Sequence, residues 1–202
     1  VDGVADTTIT GITGTSDSVQ QMQIGRWMNS NGNIDQHYTG AIDELSLWDR
    51  AISNEEVVRL YTTSLTLTDS LVFKADLSIN DDDSIQGING TSTNVPFIQD
   101  GGHYAMDFTA ANAIVQFGND AAQGGAVLGT SDFTISAWVK PIGTQSSGAV
   151  ILGQTITSLS SPKYHGVQLR LNGTNLECVI GSQNLFESPV SSPISFNAWH
   201  HV

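Results

Sequence analysis

Apolar residues alternate with polar ones over several short stretches of this chain. Ile9–Ile12, Gln21–Ile24, Ala41–Trp48, Phe133–Val139, Ala149–Leu152 and Val167–Leu171 all show a period of two and predict strands. Within Phe133–Val139, Phe133, Ile135 and Ala137 share one face, while Thr134, Ser136 and Trp138 share the other. Both faces are partly apolar, as a strand inside a two-layer sandwich requires. Turn signals separate these runs: Asp2-Gly3, Asn31-Gly32-Asn33, Asn89-Gly90, Asp100-Gly101-Gly102, Gly124-Gly125 and Asn172-Gly173. Many short strands joined by such turns predict an all-β, two-sheet antiparallel jelly-roll sandwich.

One helix interrupts the pattern. In Ser53-Asn54-Glu55-Glu56 the serine oxygen can accept from the amide of Glu56, and the Glu56 carboxylate can reach back to the amide of Ser53. Val57, Val58, Leu60 and Tyr61 then form an apolar face, which predicts a short helix over about 54–61. The Thr/Ser-rich stretch after it reads as a linker, residues 63–70, between a segment 1–62 and a segment 71–202.

Composition narrows the partners. The chain has 202 residues, enough for one domain or two small ones, and 20 acidic against 7 basic groups give a formal charge of −13. An excess of negative charge finds nothing to pair with on nucleic acid or on anionic lipid, so neither is an expected partner. No apolar run reaches the roughly 20 residues that span a bilayer, and no membrane insertion is expected. The single cysteine, Cys178, excludes an internal disulfide and a cysteine-based zinc site, and its place in the alternation Leu176–Ile180 predicts a buried small hydrophobe. The ends read as interrupted hairpins. Val1-Asp2-Gly3 opens on a turn signal, and Phe196–Val202 stops while still reading as a strand, as in a chain cut from a longer polypeptide or circularly permuted.

Several stretches carry a family likeness. Residues 38–57, from Tyr38 through Ile42-Asp43-Glu44 to the Ser53-capped helix, resemble the closing segment of laminin-G-like domains of the concanavalin A-like lectin class. Asp132–Val139 resembles an early central strand of that class, Asn197–Val202 its Trp-His-His-Val strand, and Tyr104–Phe108 another of its strands, with Thr109 where glycine is usual. Val1-Asp2-Gly3 resembles the hairpin that follows Trp-His-His-Val, so the order is rotated. The resemblance implies either a permuted roll or a window on a tandem array.

Catalysis is not expected. The resemblance includes polysaccharide hydrolases that carry two glutamates in a Glu-x-Asp-x-x-Glu strand, and none of Glu44, Glu55, Glu56, Glu177 or Glu187 sits in that motif. Strict alternation sends the adjacent Asp43 and Glu44 to opposite faces, and His200 and His201 likewise. Calcium is the candidate cofactor: Asn80-Asp81-Asp82-Asp83 concentrates the oxygens a hard cation needs, although a solvated acidic turn has the same composition. Asp81 and Asp83 are the candidate ligands, with Asp107 and Asp43 added by their positions in the resembling strands. For sugar binding the candidate is the loop Arg26–Tyr38, where Trp27 and Tyr38 offer rings and Asn29, Asn31 and His37 offer hydrogen bonds. Trp48, Trp138 and Trp199 fall in strand patterns that favour core packing. Asn89 and Asn172 open Asn-Gly-Thr sequons, which matter only in a glycosylating source.

These features, with the resemblance, imply a non-catalytic extracellular module at the cell surface, a repeat or subunit of an adhesin or fibre. Its expected partners are adjacent copies of the same chain, joined by strand addition. The alternative is a calcium-assisted carbohydrate-binding module attached to a larger secreted protein or enzyme, with a glycan as partner.

Overall fold

The computed structural model describes residues 1–4, 21–28, 34–63, 67–78, 84–85, 88–117, 132–157, 164–182, 185–187 and 190–202. The strand expected at Ile9–Ile12 and the turns at Asn31–Asn33 and Gly124–Gly125 lie outside these residues. From the N-terminal side the elements are β1 (Met22–Ile24), β2 (Trp27–Met28), β3 (Ile34–Asp35), β4 (Gly40–Trp48) and α1 (Asn54–Thr63). Then come β5 (Leu71–Ala75), β6 (Gly90–Thr93), β7 (Phe97–Asp100), β8 (His103–Asp107), β9 (Ile114–Phe117) and β10 (Thr134–Pro141). The chain finishes with β11 (Ala149–Thr157), β12 (Tyr164–Asn172), β13 (Asn175–Ser182), β14 (Leu185–Glu187), β15 (Val190–Pro193) and β16 (His200–His201).

Among the described residues, eight strands form one sheet in the order β14-β13-β12-β11-β1-β9-β6, with β15 also on β13. Six form a second sheet, β16-β10-β4-β8-β7, with β5 also on β4, and β2 and β3 make a separate two-stranded ribbon. Every named strand pair is antiparallel. Strands β1 and β4 hold inner positions, one in each sheet. β1 lies between β11 and β9, and β4 lies between β10 and β8. An inner strand needs apolar side chains on its covered faces, and β1 and β4 have them: Met22, Ile24, Ala41, Ile42, Leu45 and Leu47 are all fully buried.

Between the sheets lies one core. From the six-stranded sheet it receives Ile42, Leu45, Leu47, Phe73, Met106, Ala137 and Val139. From the other it receives Met22, Ile24, Val115, Phe117, Ile151, Val167, Leu169 and Leu171. Phe73 meets Phe117 edge to face at 4.9 Å across this space. Each of these side chains larger than alanine contributes about 1.5–3 kcal/mol on burial. Close packing reaches the backbone at Gly25. Its φ is +80°, and a Cβ there would fall 2.0 Å from the Phe108 ring.

The helix is built as its capping box predicts. Ser53 N–H donates to Glu56 Oε2 at 2.8 Å, Glu56 N–H donates to Ser53 Oγ at 3.3 Å, and Arg50 forks onto the same carboxylate at 2.7 and 2.9 Å. It runs two residues further than 54–61 because the Thr62 and Thr63 hydroxyls donate to the Val58 and Arg59 carbonyls, one turn back. Its Leu60 joins Trp48, Leu67 and Leu71 in a small second cluster on the outer face of the six-stranded sheet. The two ends of the described chain meet there too: Asp2 N–H donates to the His201 carbonyl at 2.7 Å, and Asp2 Oδ1 accepts from His201 N–H at 2.9 Å. Among the described residues no helix is long and apolar enough to cross a membrane.

Candidate functional site

The outer face of the six-stranded sheet carries the site, and an irregularity in β4 creates it. Opposite β10, Ser46 pairs with Ser136 and Asp43 with Trp138, so Glu44 and Leu45 together face the single residue Ala137. This is a β-bulge, with Glu44 in the left-handed region at φ +48°. Glu44 N–H donates to the Asp76 carbonyl at 3.1 Å, which ties the bulge to the end of β5. The extra residue resets the alternation. Ile42 and Leu45, three apart, both enter the core, while Asp43 and Glu44 both line one outer cavity. The expectation that Asp43 and Glu44 lie on opposite faces is therefore corrected: it assumed an unbroken period of two.

The cavity has a volume of about 430 Å³ and is lined by Asp43, Glu44, Asp76, Ser78, Gly102, His103, Tyr104 and Trp138. Asp43 is only 4% exposed. Its Oδ2 lies 3.0 Å from His103 Nδ1, and its Oδ1 is buried without a hydrogen-bond partner. Burial raises the Asp43 carboxyl to about 7, helped by the Asp76 charge and opposed by the Glu44 amide and Lys74. Burial and the neighbouring Asp43 and Asp76 charges raise Glu44, against Lys74 and His103. Burial lowers His103 in spite of Glu44 and Asp100. Burial thus disfavours the charged imidazole in its 3.0 Å contact with Asp43.

A run of rings adjoins the cavity, and two of its members, Trp138 and His103, line it. Tyr61 from α1 stacks on Trp138 from β10 at 5.6 Å, Trp138 packs on His103 from β8 at 4.8 Å, and His103 stacks on Trp199 at 4.2 Å. The Trp199 indole N–H donates to the Asp100 carbonyl at 3.1 Å, which orients the far end. Tyr104 stands 55% exposed beside this run. Trp48 is buried as its strand pattern predicts, but Trp138 and Trp199 are half-buried in this outer layer rather than in the core.

The loop Arg26–Tyr38 does not gather its candidates. Tyr38 is fully buried and its hydroxyl donates to the Ala41 carbonyl at 3.1 Å, so its ring packs in the core and is not presented to a ligand. His37 is half-buried, bridges Val150 through its backbone and has its imidazole lowered by burial and by the Arg26 charge. Trp27 is half-buried near Gly153, whose added Cβ would lie 3.9 Å from the indole. Asn29 and Asn31 lie outside the described residues, as do Asp81 and Asp83. Of the remaining metal candidates, Asp43 faces the cavity and Asp107 caps a turn, its Oδ1 accepting from Thr109 N–H at 2.8 Å. Among the described residues, no group of three or more His, Cys, Asp or Glu side chains is placed to hold a metal ion. Cys178 packs against the core and burial pushes its thiol up to about 11, so it acts as an apolar filler.

Glu44, Asp76, Ser78, His103 and Tyr104 were not foreseen as site residues. The available signal was the three-residue spacing of Ile42 and Leu45 inside a strand that otherwise alternates.

Residues 115–202, the segment from β9 to β16, match the family described as the concanavalin A-like lectin/glucanase superfamily. The fold is a two-sheet jelly-roll sandwich, and its C-terminal part is similar to that family. The match covers β11 and most of β9, which flank β1, and β10 on one side of β4, and the two antiparallel sheets with one helix are consistent with a jelly-roll sandwich. Comparison with curated proteins and with solved structures gives no significant match.

Proposed function

We propose that this domain is a non-catalytic, extracellular adhesive module that binds carbohydrate at the outer cavity of the six-stranded sheet. The observation that carries this reading is the run Tyr61-Trp138-His103-Trp199 beside a cavity lined by Asp43, Glu44, Asp76 and Ser78. A sugar has an apolar face of C–H groups that packs on aromatic rings and a rim of hydroxyls that needs acceptors, and this cavity offers both on adjacent walls. Its volume, about 430 Å³, falls within the range of small-molecule sites. A non-catalytic role is supported by the placement of Asp43 and Glu44. They are consecutive residues on one strand, whereas glycosidases hold two carboxyl groups on opposite sides of the scissile bond. An extracellular setting accords with the laminin-G-like roll.

The test is retention on a glycan array, with and without a calcium chelator, of the wild-type domain and of Trp138→Ala and Tyr104→Ala variants. The reading expects wild-type retention of a defined set of glycans and loss of at least tenfold in either variant. Tyr104 is more than half exposed, so its variant separates loss of binding from loss of fold. Absence of any retained glycan under both conditions would overturn the reading. Retention that depends on calcium would join the metal to it.

A further inference from the structure

Away from the cavity, three side chains at the β16 edge of the six-stranded sheet have the arrangement of an activated nucleophile. We infer that Ser195 is a site of covalent O-acylation, with His200 as its base and Asp2 as the positioning residue that orients the base.

The geometry sets each role. Ser195 Oγ lies 2.9 Å from His200 Nε2, and His200 Nδ1 lies 2.9 Å from Asp2 Oδ2. A carboxylate only accepts hydrogen bonds, so Nδ1 carries the proton of the neutral ring and Nε2 is left to accept from the Ser195 hydroxyl. A nucleophile, a base and a group that fixes the tautomer of the base, linked in that order, are what make a serine hydroxyl reactive. The backbone holds both ends of the chain of contacts. Asp2 Oδ1 accepts from His201 N–H at 2.9 Å, and Asp2 N–H donates to the His201 carbonyl at 2.7 Å. On either side of Ser195, Ile194 N–H donates to the Thr174 carbonyl at 2.9 Å and Asn197 N–H to the Pro141 carbonyl at 2.7 Å.

Exposure suits the same roles. Ser195 is exposed and open to a reagent, while the His200 side chain behind it is 13% exposed. The group is separate from the sugar cavity. His200 pairs with Val139, whose side chain enters the core, whereas His201 pairs with Trp138, which lines the cavity. Directly opposed residues share a face, so His200 lies on the face away from the cavity.

The reaction takes one co-reactant, an activated ester with a phenol as leaving group. Ser195 Oγ attacks the ester carbonyl carbon as the hydroxyl proton passes to His200 Nε2. The bond from that carbon to the phenol oxygen then breaks, and the departing oxygen takes the proton back from Nε2. The products are acyl-Ser195 and free phenol. While the ring is charged, Nε2 also has the Ser195 carbonyl as an acceptor at 3.1 Å, and Asp2 offsets the charge at Nδ1. One transfer per chain is a modification rather than turnover, so the adhesive reading stands beside it.

The experiment incubates the domain with p-nitrophenyl acetate at neutral pH, follows release of p-nitrophenolate and locates acetyl groups by peptide mass spectrometry. The expected result is a burst close to one equivalent, with the acetyl group on Ser195, and no burst in Ser195→Ala. His200→Gln and Asp2→Asn slow the burst by at least about tenfold. Free imidazole restores it in His200→Gly, and Asp2→Glu is faster than Asp2→Asn, results that a merely structural role would not produce. Ser92, an exposed serine on β6, stays unmodified. Equal acetylation of Ser92 and Ser195 would show ordinary surface reactivity and overturn the assignment. An unmodified Ser195 in a domain that still melts cooperatively would overturn it too. Release well beyond one equivalent, abolished in Ser195→Ala, would support the nucleophile and overturn the non-catalytic reading instead.

Discussion

Ser136 Oγ lies 2.8 Å from His201 Nε2, between adjacent strands β10 and β16, where the imidazole is 6% exposed and edge-on to the Trp138 ring. Burial, with a smaller contribution from the Val1 ammonium, lowers this histidine to about 4 against the opposing pull of Asp2. The neutral ring is thus part of the native packing that holds Trp138 in place beside the cavity.

Acid should cost the domain stability through His201. The folded pKa of about 4 lies below the ordinary value of 6.5, so the unfolded chain binds the extra proton between those limits. The contribution of this residue is full above about pH 6.5 and is lost as the pH falls toward 4. Melting temperatures of wild type and His201→Gln, measured from pH 7.5 to 4.5, should converge on acidification by roughly 5 °C. A gap that stays constant over this range would contradict the assignment.

Asp43 has the opposite sign. Its folded pKa of about 7 lies above the ordinary 3.8, so here the native state holds the proton more tightly than the unfolded chain. Its native environment is least costly at low pH, and stability is lost as the pH rises from about 4 to about 7. An Asp43→Asn variant keeps the shape and removes the titration. Its melting temperature relative to wild type should therefore rise by roughly 5 °C or more between pH 4.5 and pH 8. Because the Asp43 and His201 slopes oppose each other, the paired comparison is the informative one. A difference that does not depend on pH would show that Asp43 titrates normally.

The bulge at Glu44 places a non-glycine residue at φ +48°. Left-handed backbone costs a side-chain-bearing residue about 1–2 kcal/mol, and more for a β-branched one. In urea unfolding, Glu44→Gly should leave stability within about 1 kcal/mol of wild type, since relief of the backbone offsets the entropy of glycine. Glu44→Val should lose about 2 kcal/mol or more. A valine variant as stable as wild type would mean that the backbone at this position adopts an extended conformation.

Gly25 is a point of close approach between β1 and the segment after β8. With φ +80° and a built Cβ 2.0 Å from Phe108, alanine is excluded twice, by conformation and by space. The Gly25→Ala variant should lose more than about 3 kcal/mol, among the largest effects of single substitutions. In the double variant Gly25→Ala/Phe108→Leu the losses should be less than additive, because the smaller side chain removes the clash and leaves the backbone term. Additive losses would place the two residues out of contact.

Much of the architecture was legible along the chain. The alternation in Gln21–Ile24, Ala41–Trp48, Phe133–Val139, Ala149–Leu152 and Val167–Leu171 places β1, β4, β10, β11 and β12, and the Ser53–Glu56 box starts α1 where it is found. These signals are local, because periodicity and capping involve residues within one turn or one pleat of each other. The site was far less legible. Tyr38 has the composition of a ligand contact and lies in the core, whereas Trp138 has a core pattern and faces the cavity.

What the amino-acid order determined by itself is the set of strands, the single capped helix and the acidic, thiol-poor surface. Each follows from neighbours in the chain and from composition. What only the tertiary structure decided is which outward residues meet: Asp43 with His103 across β4 and β8, Trp138 with Tyr61 across β10 and α1. One added residue in β4 opposite Ala137 turns Glu44 from the core side to the cavity side. That displacement is a property of cross-strand register, set by strands far apart in sequence, and a period of two read along β4 alone carries no record of it.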